Sequence, residues 1–97
     1  MYTGNTNPEA APGKIGVAID VTVKLLKARK SLKRLLGDRY ENAINPWIAA
    51  IEGASKESGK SRLEIATDVA RHVQLDGMEK MLLMAATVEA IEREKQG

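Results

Sequence analysis

Residues 15–36 read IGVAIDVTVKLLKARKSLKRLL, in which Ala18, Val21, Leu25, Ala28, Leu32 and Leu35 follow one another at steps of three or four. That spacing places them on one side of an α-helix. Lys27, Lys30, Lys33 and Arg34 lie mostly away from the stripe, so one side seeks a packed partner and the other faces water or negative charge. The pattern predicts a first helix over 14–36. Gly37 suits the left-handed residue that follows a helix end, and Lys33 and Arg34 fall in the last turn, where the helix dipole favours cations.

Beyond Gly37, Asp38 with Glu41 three residues on resembles a capping arrangement, and Tyr40, Ile44, Trp47, Ile51 and Ala54 keep helical phase. Pro46 interrupts that run. An interior proline costs about 3 kcal/mol through its missing N–H and its steric clash, whereas Asn45 as N-cap with Pro46 first in the helix is a favoured start. The expectation is a short turn over 39–44 and a new helix over 46–57, with one kinked helix as the alternative. Ser61 and Glu64 form a clearer capping box, opening a helix with Leu63, Ala66, Ala70 and Val73 in one stripe. Asp76, Gly77 and Glu79 mark a turn and a restart. The last helix, 78–95, is apolar almost all round through MLLMAA, which marks it as central or covered by a second subunit.

Length changes the picture by limiting the chain of 97 residues to one domain. Residues 1–13 carry Gly4, Asn5, Asn7, Pro8, Pro12 and Gly13 without apolar periodicity, the composition of a flexible arm. With no Phe and only Tyr2, Tyr40 and Trp47 as aromatics, the core is aliphatic and thin, and such cores gain stability by oligomerising. The chain has no cysteine, which removes disulfides, thiol chemistry and Cys-containing zinc sites. No apolar run approaches the roughly 18–20 residues of a membrane span, and the first residues lack the pattern of a secretory signal, so the expected location is cytoplasmic.

The net charge of +2 hides an asymmetry: residues 1–40 hold eight Lys or Arg against three acids, and residues 41–97 hold seven against ten. A basic front and an acidic back can attract nucleic acid or another copy of the same protein. Lys24, Lys27, Lys30, Lys33, Arg34 and Arg29 form the candidate contact for nucleic acid or an acidic partner, because phosphate contacts need only clustered positive charge. No aromatic residue is interleaved to stack on bases. A solvated helix face is the simpler account of those lysines.

Residues 54–61, ASKESGKS, fit a loosened phosphate-loop pattern with Ala in its first position. The preceding WIAAIEG suits a helix rather than a buried strand, and Glu57 would sit among phosphates. An exposed connection in which Gly59 ends one helix and Ser61 caps the next accounts for the same residues. A helix-turn-helix over 62–90 would open its recognition helix with Asp76 and Glu79 facing phosphates, and 81–86 offer no donors to base edges. His72 has Asp68 and Asp76 one turn away on either side, a spacing that more often reflects local charge pattern than a metal or catalytic site.

No nucleophile, base and oxyanion donor can be assembled into a set. The expectation is therefore a non-enzyme that needs no cofactor or metal. Its fold is an all-α, compact bundle of four to five short helices over 14–97, completed by dimerisation. Its function is that of a homo-oligomeric regulator or inhibitor acting through protein contacts, with nucleic-acid binding as the alternative. The expected protein interface is Met78, Met81, Met84, Val88 and Ile91, since methionine-rich helices make adaptable surfaces.

Overall fold

A computed structural model describes the backbone of residues 10–96 and the side chains of residues 21–96. The described residues are all-α: α1 (Ala10–Leu36), a 3-10 turn (Gly37–Arg39), α2 (Tyr40–Ser58), α3 (Arg62–His72) and α4 (Gly77–Gln96). No helix among them is long and apolar enough to cross a membrane.

Helix α1 begins at Ala10, four residues before the expected start. Pro12 is tolerated there because the first N–H groups of a helix have no intrahelical acceptor anyway. Of the expected arm over 1–13, residues 1–9 lie outside the described residues, and 10–13 are helical. Leu25, Ala28 and Leu32 of the apolar stripe are buried, and Ala18 lies outside the described side chains. Leu35 departs from the expectation and is 64% exposed. Gly37, whose φ of 55° is left-handed, ends α1, and the start of α2 lies beside α1, with Tyr40 next to Lys33. Leu36 packs on the core instead.

Helix α2 corrects two expectations. Asp38 and Glu41 form no cap: Arg39 is the N-cap residue, in right-handed helical conformation and with no side-chain cap bond, because the 3-10 turn runs straight into the helix. Pro46 lies inside one helix rather than opening a new one. Its missing N–H forfeits the bond to Asn42. The continuous stripe of Tyr40, Ile44, Ile48, Ile51 and Ser55, all buried, outweighs that loss. A break at 44 would put Tyr40 and Ile44 on a different axis from Ile48.

Both connections that follow are fixed by local hydrogen bonds. Gly59, at φ 77°, closes α2 by donating its N–H to the Ser55 carbonyl, and the Ser55 hydroxyl donates to the Lys60 carbonyl at 2.5 Å. Ser61 and Glu64 form the expected capping box, each accepting the other's backbone N–H at 3.1 Å. A second reciprocal pair opens α4. The Asp76 carboxylate accepts from the Glu79 N–H at 2.7 Å, and the Glu79 carboxylate accepts from the Asp76 N–H at 3.0 Å.

Helix α4 is the hub. All three other helices pack on it, and Leu83, Ala85, Ala86, Thr87, Val88 and Ala90 are buried. The alanines let neighbouring backbones approach closely, and the buried Thr87 hydroxyl satisfies itself on the Leu83 carbonyl at 2.6 Å. Arg29 of α1 lies against Glu89 and Glu92, while Val21 and Leu25 lie beside Leu83 and Met84, so α1 and α4 run in the same direction. Helix α3 runs opposite to α4, with Arg62 paired to Glu94 at 3.0 Å and Ala70 beside Leu83.

Candidate functional site

On the flank of α4 between α1 and α3, Leu83 and Thr87 are buried and Met84 is half-buried. Among the described residues the Cα atoms of α1 and α3 stay more than 8 Å apart, although both helices pack on α4. The gap is a trough. Its α1 wall is Val21 and Leu25, its α3 wall Leu63, Ala66, Thr67 and Ala70, and its floor Leu83, Met84 and Thr87 of α4. Toward the α3–α4 turn it continues over Ala70, Leu75, Lys80, Leu83 and Met84.

The two apolar hollows measure about 150 and 180 Å³, below the several hundred Å³ of a typical small-molecule site. A groove of this kind suits side chains inserted from a helix laid across it. Beyond Leu75 lies a more polar, open hollow of about 510 Å³ edged by Arg71, His72, Gln74 and Lys80. His72 itself is exposed, its Nδ1 2.9 Å from the Asp68 carbonyl oxygen. No group of three or more His, Asp or Glu among the described residues is placed to hold a metal ion.

The five residues of the expected interface do not form one exposed seam. Met84 is half-buried on the trough floor, Met81 is half-buried against the core, Ile91 is half-buried, and Met78 is 40% exposed near the start of α4. Val88 faces inward at 6% exposure and belongs to the core of a single chain. The all-round apolar character of α4 is thus largely met by α1, α2 and α3. Leu63, expected in the apolar stripe of α3, is 40% exposed on the trough wall, and Thr67, which carries no apolar signal, is exposed beside it.

The basic face splits in the same way. Lys24, Lys27, Lys30, Lys33 and Arg34 are exposed, with Val23 and Leu26 exposed among them. Arg29 is not part of that surface. Its guanidinium donates to Glu92 at 2.7 Å and lies 3.7 Å from Glu89, with only 19% of the side chain exposed. The Glu92 hydrogen bond raises the Arg29 pKa, and in return Arg29 lowers that of Glu92. Tyr40 completes this cluster: its hydroxyl donates to Glu89 at 2.7 Å, and Lys33 Nζ stands 5.4 Å from its ring centroid. Burial, followed by the bond to Glu89, pushes the Tyr40 hydroxyl well above the ordinary tyrosine range. The cluster joins α1, α2 and α4.

Residues 54–61 form the end of α2, a glycine cap and the start of α3. Lys60 Nζ is bound to Asp68 at 2.8 Å, and that bond holds the Asp68 carboxyl below its usual range. No strand precedes the segment among the described residues. No family model, curated protein or solved structure matches this chain.

Proposed function

We propose that this protein is a non-catalytic interaction protein, a regulator or inhibitor that takes a helix of another chain into the trough between α1 and α3. The observation that carries this reading is the half-buried Met84 of α4, which with the exposed Leu63, Thr67 and Ala70 lines a trough between two helices whose Cα atoms stay more than 8 Å apart. Exposed apolar surface rimmed by polar residues marks protein contact sites and ligand grooves. The trough's apolar hollows of about 150 and 180 Å³ are smaller than a typical small-molecule site, and a groove between two helices suits helix-in-groove recognition. Homodimerisation, expected from the apolar α4, would use the same trough with a second copy as occupant.

A photo-reactive residue in place of Thr67, on the trough wall, tests the reading in the native cell. A protein adduct at position 67 that disappears when Leu63→Glu is added is the expected result. Its absence, with adducts forming only from a probe at Lys27, would contradict it.

Nucleic-acid binding is the second reading, favoured by the exposure of Lys24, Lys27, Lys30 and Arg34 with no ion pair among the described residues. Phosphate contacts by these residues would make affinity fall by about 0.9 log units per log unit of salt for each phosphate neutralised. Changing Lys27 and Lys30 together to Glu would abolish such binding and leave the fold intact. The protein-contact reading expects only weak, sequence-indifferent binding, on the order of 10⁻⁴ to 10⁻⁶ M. A preferred sequence bound at least tenfold tighter, and lost in the double variant, would replace the protein-contact reading.

A further inference from the structure

The charges of α3 and α4 are divided unevenly between those that are engaged and those that are free. Every acid of the two helices and of the turn between them has a partner. Asp68 holds Lys60, Glu89 and Glu92 hold Arg29, and Glu94 holds Arg62. Glu64, Asp76 and Glu79 are engaged in the two capping boxes. Arg71 and Lys80 are exposed, stand at the end of the trough, and take part in no ion pair among the described residues. On the opposite wall Lys24 is exposed one turn from Val21 and takes part in no ion pair among the described residues. The trough is thereby bordered by exposed cations that hold no ion pair among the described residues.

Resting on the protein-contact reading, we propose that the occupant of the trough is an acidic amphipathic helix of a partner protein. Its apolar stripe lies on Leu63, Ala70 and Met84, and its flanking carboxylates meet Arg71, Lys80 and Lys24. Leu63 to His72 spans nine residue steps of α3, about 14 Å at 1.5 Å per residue. That length accepts about three turns, or apolar residues at i, i+3 or i+4, and i+7. A basic amphipathic helix meets like charge at the Arg71 and Lys80 end of the same groove and along its α1 wall. The unpaired cations select between them.

Three peptides of about 20 residues, long enough to hold a helix, test the proposal by fluorescence anisotropy on the full chain. They share one leucine stripe and differ in flanking residues, which are Glu, Gln or Lys. The Glu peptide binds at least tenfold tighter than the Lys peptide, with the Gln peptide between them, and added salt narrows the spread. In the variant carrying Arg71→Glu and Lys80→Glu, both at exposed positions, the order of the Glu and Lys peptides reverses. Leu63→Glu weakens all three. Equal binding of all three peptides, or an order unmoved by the charge reversal, overturns the acidic partner while leaving the trough as a contact surface. A wild-type dimer that Leu63→Glu dissociates, with no peptide bound, assigns the trough to a second copy and overturns the proposal. If no peptide binds and Leu63→Glu alters neither binding nor molar mass, the proposal and the contact reading fail together.

Discussion

Tyr40 donates its hydroxyl hydrogen to the carboxylate of Glu89 at 2.7 Å, across 49 residues of sequence and between the first turn of α2 and the last half of α4. Tyr40 is 5% exposed, so this bond is made where water competes poorly. It joins the start of α2 to the hub helix, and Arg29 sits on the same carboxylate from the side of α1.

Tyr40→Phe keeps the ring and removes only the donor, and a bond to a charged acceptor contributes roughly 1.5–3 kcal/mol. Because Glu89 keeps Arg29 nearby, the expected loss is at the low end, with a Tm fall of roughly 4–8 °C per kcal/mol for a chain of this size. The pH dependence has a definite sign. Since the Tyr40 hydroxyl is raised in the folded state, its contribution is fully present below the ordinary tyrosine value of about 10. It is lost as pH rises from there toward the folded-state value. Chemical denaturation of both proteins between pH 8 and pH 11 checks this, and the gap between them should narrow above pH 10.

Pro46→Ala should stabilise the protein. The proline is exposed inside α2, where it forfeits the bond to the Asn42 carbonyl, and it is not part of the core. Alanine restores the N–H and removes the ring clash, worth about 3 kcal/mol in a helix interior, less about 0.4–1 kcal/mol for the freer unfolded chain. A net gain of about 2 kcal/mol is expected in urea denaturation. An unchanged or lower midpoint would mean that α2 needs a bend at Pro46 to fit against α4.

The two capping boxes make a matched pair of tests. Ser61→Ala and Asp76→Ala each remove a side chain that accepts a backbone N–H, at 3.1 and 2.7 Å, and each should cost about 1 kcal/mol. The sites are far apart in sequence and belong to different helices, so the double variant should lose the sum. Thermal denaturation of the two single variants and the double variant checks both statements.

Most of the local structure was legible because it depends on neighbours in sequence. The stripe of Leu25, Ala28 and Leu32, the stop at Gly37 and the box of Ser61 and Glu64 all follow from spacing within a few residues. Pro46 was misjudged because the buried stripe that holds α2 together extends to both sides of it, and its value comes from α4. Arg29 looked like one more surface cation, since Glu89 and Glu92 lie some sixty residues away. Val88 and Met84 show the same limit on the site: periodicity marks a position for burial without saying whether its cover comes from the same chain. The trough was invisible for that reason, because it is a property of two helices that fail to meet.

The central claim, that an acidic helix lies on the α4 floor between α1 and α3, is read most directly from the methionine methyl spectrum during titration with the Glu-flanked peptide. Met84 lines the trough, whereas Met78 is exposed outside it. A saturable shift of the Met84 methyl resonance, with Met78 unmoved, is the predicted result. A spectrum in which Met84 stays fixed while the peptide is bound would contradict the account.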